Sequence, residues 1–402
     1  MTPRLGLVFL GLVLVMALAG AWVALAPTTS DRHAAAVGPV RTAATVPVRT
    51  AAAVAAGTTP SARRLTIDQL AGQRIIYAYA GLRPPAALLA AIRAGEAGGV
   101  IFFGPNIANL SQIRGVVVQL QRASLASPLH ARLLMMSDQE GGEVRRLPGP
   151  PSLSERQIGT SPAGGSLARA AGTGAGRTLA GVGMNVNLSP VLDVYRRPGN
   201  FIDAFQRSYS SNPARVATLG AAFITAQQRL RVAATAKHFP GLGSASRQQN
   251  TDLRPVTLRS SLSTLRAVDE EPYVSAIAAG VKLVMTSWAV YPALDPRLPA
   301  GLSPAVIHGE LRGGLGFAGV TVTDGIEAGA LAPFGAIGNR AVLAASAGAD
   351  LILCATTNPD DNSPVLGIAA RSAIASALAH GRLARSAAQR AAGRILALRA
   401  NP

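Results

Sequence analysis

The residues best suited to chemistry stand directly after short apolar runs of the sequence. Asp324 follows the run Gly319–Thr323, and Lys237-His238 follows Ala233–Ala236. A carboxylate at the end of a strand can attack an anomeric carbon or stabilise positive charge there, although an aspartate in this place can also simply cap the next helix. Lys237 is one of only two lysines beside 36 arginines. This rarity indicates a position that requires a compact ammonium group, against the simpler interpretation of a solvated lysine in a Pro-Gly turn.

A second polar cluster, Ser137–Gly142, follows the apolar run Leu133–Met136. Asp138 and Glu140 lie beside a flexible diglycine, which suits hydrogen bonding to several hydroxyl groups. The basic pair Arg145-Arg146 follows and would keep both carboxylates ionised. A cation site is a weaker interpretation, because the cluster has few further oxygen ligands close by.

The elements that must position these residues alternate between strand and helix. Segments that read as helices, among them Leu262–Gly280, lie between the apolar runs, and a last one follows at Leu383–Ala400. The apolar runs are eight in number: Ile75–Ala80, Gly99–Phe103, Leu133–Met136, Met184–Leu188, Ala233–Ala236, Leu283–Thr286, Gly319–Thr323 and Asp350–Cys354. Alternation of this kind is typical of parallel βαβ units, so the fold class is α/β. Eight such units predict a (β/α)8 TIM-type barrel. We expect it to form a single catalytic domain over residues 65–402. The polar residues follow the strands and do not precede them. In a barrel they would therefore converge at the C-terminal mouth, which favours an enzyme.

The N-terminal region has a different character from the barrel segment. Residues 1–27 contain an almost unbroken apolar run from Leu5 to Ala26, 22 residues long, which predicts either a signal peptide or a signal anchor. Residues 28–64 are rich in Ala, Thr, Val and Pro and predict a disordered linker. We therefore expect an exported protein, either extracellular or membrane-anchored through residues 5–26 and facing outward.

Composition excludes several other classes of protein. The net charge is +18, but no basic run is present and aromatic residues make up only 4%, so a nucleic-acid partner is not expected. The single cysteine, Cys354, excludes a disulfide framework and a zinc site built on several cysteines. The glycine-rich stretch Gly172–Gly176 falls inside a helical segment and not after a strand, which argues against a dinucleotide site.

The motifs in this order resemble glycoside hydrolase family 3, and in particular its single-domain bacterial β-N-acetylglucosaminidases of the NagZ type. The resemblance covers about residues 66–398. It rests on GVIFFG (Gly99–Gly104), SDQEGGEVRR (Ser137–Arg146), MNVNLSPVLDV (Met184–Val194), RSYSSNP (Arg207–Pro213), KHFPGLG (Lys237–Gly243), MTSWAVYPALDP (Met285–Pro296) and VTDGIEAGAL (Val322–Leu331).

This resemblance implies a retaining glycosidase that removes terminal β-linked N-acetylglucosamine from an oligosaccharide or a peptidoglycan fragment. It implies that Asp324 is the nucleophile, and that the hydroxyls of the terminal sugar are held by Asp138, Arg207, Lys237 and His238. It also implies that no metal ion or organic cofactor is needed. We expect a monomer.

The loop after KHFPG departs from the family pattern. NagZ-type enzymes carry Asp-Ser-His or Asp-Thr-His there, with the histidine as general acid/base, whereas this loop has no histidine and places Asn250-Thr251-Asp252 in the slot. Asp252 with a raised pKa is then the candidate acid/base. Two alternatives remain open: a proton donor on a different loop, or a catalytically weakened sugar-binding wall protein. A carboxylate would also repel phosphate more than a histidine does, which favours water as the acceptor.

Overall fold

The computed structural model describes residues 61–402, so the predicted leader over residues 1–27 and most of the predicted linker lie outside the described residues. The last residues assigned to the linker form a short 3₁₀ turn, Ala62–Arg64, which leads into the first helix. Among the helices of residues 61–402, none combines the length and the apolar character that a membrane crossing needs.

Eight parallel strands close into a barrel, as the sequence predicts. Each strand pairs with its neighbours along the chain, and the last strand pairs with the first. The strands are β1 (Ile75–Tyr77), β2 (Gly99–Ile101), β3 (Leu134–Ser137), β4 (Val186–Asn187), β5 (Ala233–Phe239), β6 (Leu283–Thr286), β7 (Val320–Gly325) and β8 (Leu351–Cys354). The fold is therefore a (β/α)8 barrel, and each predicted run supplies one strand.

Helices surround the barrel and bury their apolar faces against it. They are α1 (Ile67–Gly72), α2 (Ala86–Arg93), α3 (Leu110–Leu125), α4 (Glu155–Thr160), α5 (Gly164–Gly181), α6 (Pro213–Gln228), α7 (Leu262–Thr264), α8 (Glu271–Ala278), α9 (Ile337–Ala347), α10 (Pro364–Ala379) and α11 (Arg385–Ala400). Two π-helical segments, Leu265–Asp269 and Ala305–Gly314, complete the set. The continuous helix expected over 262–280 is broken because Pro272 lacks a backbone N–H and begins a new helix.

The glycine-rich stretch Gly172–Gly176 lies inside α5, as the sequence analysis expects. It allows α5 to approach α6 closely, since a Cβ atom at Gly172 would lie 2.3 Å from the carbonyl oxygen of Phe223. These glycines therefore serve helix packing.

The last helix, α11, covers the N-terminal end of the barrel. Its Ile395 and Leu398 join the same buried cluster as Val320 and Leu351 from the barrel strands. Asp350, fully buried just before β8, is 2.6 Å from Arg394 of α11 and 2.7 Å from Arg312. The chain end is thus bound to the base of the barrel by both apolar packing and ion pairs.

Candidate active site

A cleft of about 190 Å³ opens at the C-terminal mouth of the barrel. All six residues singled out from the sequence line it: Asp138, Arg207, Lys237, His238, Asp252 and Asp324. They come from four different strand ends or the loops that follow them, which is where barrel enzymes place their sites.

Asp138 and Glu140 anchor one side of this cleft. The segment Gln139–Gly141 pairs with Val144–Arg145 as a small hairpin, which folds both carboxylates back beside β5. Lys237 Nζ lies 2.9 Å from Asp138 Oδ1 and 2.7 Å from Glu140 Oε1. Arg207 donates two hydrogen bonds of 2.9 Å to the two oxygens of Glu140. The result is a buried cluster of two cations and two anions that holds Lys237 and Arg207 rigidly at the cleft wall.

The protonation of this cluster follows from its pairing. Burial acts to raise the pKa of Glu140, but the charges of Arg207 and Lys237 outweigh it and lower that pKa to about 2. Burial likewise acts to lower the pKa of Lys237, whereas Asp138 and Glu140 raise it above its usual value. These two groups are therefore charged at neutral pH, and the cluster offers fixed charges to hydroxyl groups of a ligand.

His238 is oriented by Asp193, a fully buried carboxylate from the segment after β4. Asp193 Oδ2 is 2.8 Å from His238 Nδ1, and Oδ1 accepts hydrogen bonds from the backbone N–H groups of His238 (3.3 Å) and Leu242 (2.6 Å). This arrangement places the proton on Nδ1 and leaves Nε2 for a ligand. It also fixes the start of the loop that leads to Asp252.

Asp324 occupies the penultimate position of β7 and is half-buried. Its Oδ1 accepts a 2.7 Å hydrogen bond from the backbone N–H of Gly325. The carbonyl of Gly325 in turn accepts a 2.9 Å bond from the indole Nε1 of the buried Trp288. The peptide next to this carboxylate is therefore held from both sides, which limits the positions that Asp324 can take.

Asp252 lies on the loop after β5, at the edge of the cleft. Solvent still reaches its side chain, but the surrounding walls withdraw the carboxylate from part of its water. This partial burial and the negative charge of Asp324 raise the pKa of Asp252 to about 6, although Arg207 and His238 act in the opposite direction. A carboxyl group with that pKa can exist in both protonation states near neutral pH, as a general acid/base requires.

The structure adds residues that the sequence analysis did not place in the site. Glu140 stands in the polar cluster Ser137–Gly142 and Asp193 stands in the MNVNLSPVLDV motif, but their partners Arg207 and His238 are distant in sequence, so nothing in the sequence pairs them. Arg146 lies 4.0 Å from Asp138, and its buried Nε has no hydrogen-bond partner among residues 61–402. The rest of the cleft wall is largely apolar: Ile101, Phe103, Val144, Leu188, Met285, Leu353 and Ala355.

The described part of the chain has no evident set of metal ligands. Within residues 61–402, no group of three or more His, Cys, Asp or Glu side chains is arranged to hold an ion. The carboxylates of Asp138 and Glu140 are instead paired with protein cations.

A barrel whose mouth holds two carboxyl groups in one cleft, one of raised pKa, beside a rigid cluster of charged side chains is typical of a glycosidase. Residues 64–398 match the glycosyl hydrolase family 3 N-terminal domain. The chain belongs to glycosyl hydrolase family 3, which confirms the resemblance seen in the sequence.

Known proteins similar to this chain are of the same kind. An uncharacterised secreted glycosyl hydrolase of Arthroderma benhamiae is 46% identical over 329 residues, which cover 82% of this chain and 92% of that protein. A family 3 β-N-acetylglucosaminidase structure from Paenibacillus superposes with a TM-score of 0.76 and 35% identity, covering 83% of this chain and 62% of that one. A β-N-acetylhexosaminidase structure from Beutenbergia cavernae has a TM-score of 0.74 and 31% identity, with 83% and 98% covered.

Proposed function

We propose that the protein is a retaining β-N-acetylhexosaminidase that removes terminal β-linked N-acetylglucosamine from cell-wall-type glycans. The observation that carries this proposal is the pair Asp324 and Asp252 at one cleft, with the pKa of Asp252 raised to about 6. The sugar is suggested by the two similar structures, which are a β-N-acetylglucosaminidase and a β-N-acetylhexosaminidase.

The terminal sugar binds first to the charged cluster. Asp138, Arg207, Lys237 and His238 hold its hydroxyls, and Arg146 offers a further unpaired N–H donor. The apolar wall around Met285 and Leu353 packs against the ring face and the methyl of the acetamido group. Because the cleft measures only about 190 Å³, we expect it to take a single sugar at the end of a chain.

The reaction then proceeds in two displacements. Asp324 Oδ attacks the anomeric carbon while Asp252 gives its proton to the glycosidic oxygen, so the glycosidic bond breaks and the glycosyl-enzyme ester forms. Asp252, now ionised, takes a proton from water as that water attacks the anomeric carbon and displaces Asp324. Sugar is released with retained β configuration, and both carboxyl groups return to their starting states.

The proposal is tested with purified protein on a panel of p-nitrophenyl β-glycosides and on the β-1,4-linked disaccharide of N-acetylglucosamine. We expect cleavage of the N-acetylglucosaminides and none by Asp324→Asn. Asp252→Ala removes the proton donor, so kcat/KM on the disaccharide should fall by about 10²- to 10⁴-fold. The p-nitrophenyl substrate should lose much less, because its leaving group needs little acid help.

Two outcomes would contradict the proposal. Binding of N-acetylglucosamine without hydrolysis of any substrate would indicate a sugar-binding protein on this fold. Activity of Asp324→Asn equal to that of the unaltered protein would remove Asp324 from the mechanism.

The location and assembly of the protein are also part of the proposal. Export is supported by the apolar run Leu5–Ala26 and by the similar fungal protein, whose name calls it secreted. We expect the barrel to act outside the cytoplasm, either released or tethered through residues 5–26, and to be a monomer.

A further inference from the structure

The loop that carries Asp252 is bonded to the segment that follows Asp324. The backbone N–H of Gly329 donates to the carbonyl of Asp252 at 2.8 Å, and that of Ala330 donates to the carbonyl of Thr251 at 3.0 Å. Two loops from different strands, β5 and β7, are thus joined by adjacent backbone bonds. We call these two bonds the loop junction.

Gly329 is required at this junction for reasons of space. A Cβ atom there would lie 2.4 Å from both the carbonyl carbon and the carbonyl oxygen of Leu253, and 3.0 Å from the backbone nitrogen of Arg254. These are backbone atoms, so no side-chain rotation can relieve the contact. Any residue larger than glycine would push the Asp252 loop away from β7.

Asn250 holds the same loop from its other side. Its side-chain Oδ1 accepts a 2.8 Å hydrogen bond from the backbone N–H of Asp252, and its carbonyl accepts bonds of 3.2 Å from Leu253 and Arg254. This arrangement is an Asx turn, in which the asparagine side chain bonds the backbone two residues further on, and it fixes the backbone that carries Asp252. Asn250 therefore acts on the backbone of Asp252, through an oxygen that carries no net charge.

We propose that Gly329 and Asn250 are positioning residues that hold the carboxyl of Asp252 in place relative to Asp324 by making the two loops one bonded unit. This inference rests on the proposed role of Asp252 as acid/base. The requirement is strict, because a displacement of about 1 Å can cost about 10²-fold in rate.

Gly329→Ala tests the junction, with Gly115→Ala as the matched control. Gly115 is an exposed glycine of α3 with no atom within 4 Å of an added Cβ. We expect Gly329→Ala to lower kcat/KM on the disaccharide by about 10²-fold and to change kcat/KM on the p-nitrophenyl glycoside little. Gly115→Ala should match the unaltered protein on both substrates.

Asn250→Ala and Asn250→Asp test the turn, with Gln249→Ala as control. Gln249 accepts a 2.8 Å bond from the backbone N–H of Ser246, so its removal costs the same loop an equivalent bond away from Asp252. Asn250→Ala should reproduce the selective loss on the disaccharide. Asn250→Asp keeps the acceptor oxygen and should keep that activity, but its added charge should move the basic limb of the kcat/KM pH profile upward. Loss in Asn250→Ala beside retained activity in Asn250→Asp would show that the acceptor oxygen of residue 250, and not the mere presence of its side chain, holds Asp252.

Asp252→Ala is the reference that separates this inference from the proposed function. If Asp252→Ala shows the selective loss and neither Gly329→Ala nor Asn250→Ala does, the positioning role is overturned and the proposed function stands. Equal losses on both substrates in the two positioning variants would also overturn it. If Asp252→Ala itself has no selective effect on the disaccharide, the assignment of Asp252 as acid/base is wrong, and the positioning role that rests on it is overturned as well.

Discussion

Glu140 is the carboxylate that balances the positive charges at the wall of the cleft. It is buried, and it neutralises Arg207 through two hydrogen bonds and Lys237 through a 2.7 Å contact. A buried carboxylate between two buried cations is worth little net energy when all partners are present. Its removal is costly, because Arg207 then loses its hydrogen-bonded counter-charge and Lys237 keeps only Asp138 as a partner.

Glu140→Gln is therefore expected to lower the free energy of unfolding by about 3–5 kcal/mol and to abolish hydrolysis. Urea unfolding measures the first effect and the glycoside assay the second. Glu143→Gln is the control, since Glu143 is an exposed carboxylate in the turn of the same hairpin. A Glu140→Gln protein as stable as Glu143→Gln would contradict the ion-pair argument.

The raised pKa of Asp252 predicts the pH dependence of the reaction. Asp252 must be protonated to donate to the glycosidic oxygen, so kcat/KM on the disaccharide should be highest below pH 6 and fall as the pH rises through about 6. Asp324→Asn removes one cause of the raised pKa, so Asp252 should titrate at lower pH in that variant. Carbon-13 NMR of the carboxyl groups measures this, and an unchanged titration would contradict the coupling.

The residues of the site can be predicted from the sequence, whereas the residues they pair with cannot. Asp324, Lys237 and Asp138 could be found because each follows an apolar run and the fold places strand ends together. The pairs Arg207–Glu140 and His238–Asp193 could not, since contacts across 67 and 45 residues leave no pattern in a single sequence. The slot of Asp252 predicts a raised pKa, and its causes are partial loss of water and the negative charge of Asp324.

Helices α5 and α6 approach each other most closely at the glycines of α5. Gly172→Ala would improve intrinsic helix propensity by up to about 1 kcal/mol, but its Cβ would lie 2.3 Å from the carbonyl oxygen of Phe223. We expect the overpacking to dominate and to lower the free energy of unfolding by about 1–3 kcal/mol. Chemical denaturation measures this. Gly181→Ala, in the same helix with open space around it, should lower stability much less, and equal effects would exclude the packing explanation.

Element boundaries were predicted unevenly, and for physical reasons. The eight strands could be found because β-branched and apolar runs fill the barrel wall on both faces. The helix over 262–280 was expected as continuous, although Pro272 gives the signal for its break. The loop junction between Gly329 and Asp252 could not be predicted, because backbone-to-backbone bonds between loops do not depend on side-chain type.

At the scale of the whole molecule, the alternation of strands and helices along the sequence is enough to predict the barrel fold. The closure of that barrel depends on the last segment of the chain. β8 pairs with β1, and α11 covers the base of the barrel through Ile395, Leu398 and the Arg394–Asp350 pair. The sequence predicted the helix there, but not that it seals the barrel. Two of its four arginines look like surface charge in the sequence, whereas Arg399 is buried and Arg394 is ion-paired.

This late closure sets the order in which the chain can fold. A ribosome makes β1 more than 270 residues before β8, so the edge of β1 stays unpaired throughout most of synthesis and must be kept from other chains. The same delay suits the export that we propose. A chain that crosses the membrane while it is being made would complete the barrel only after crossing, because β8 and α11 are made last.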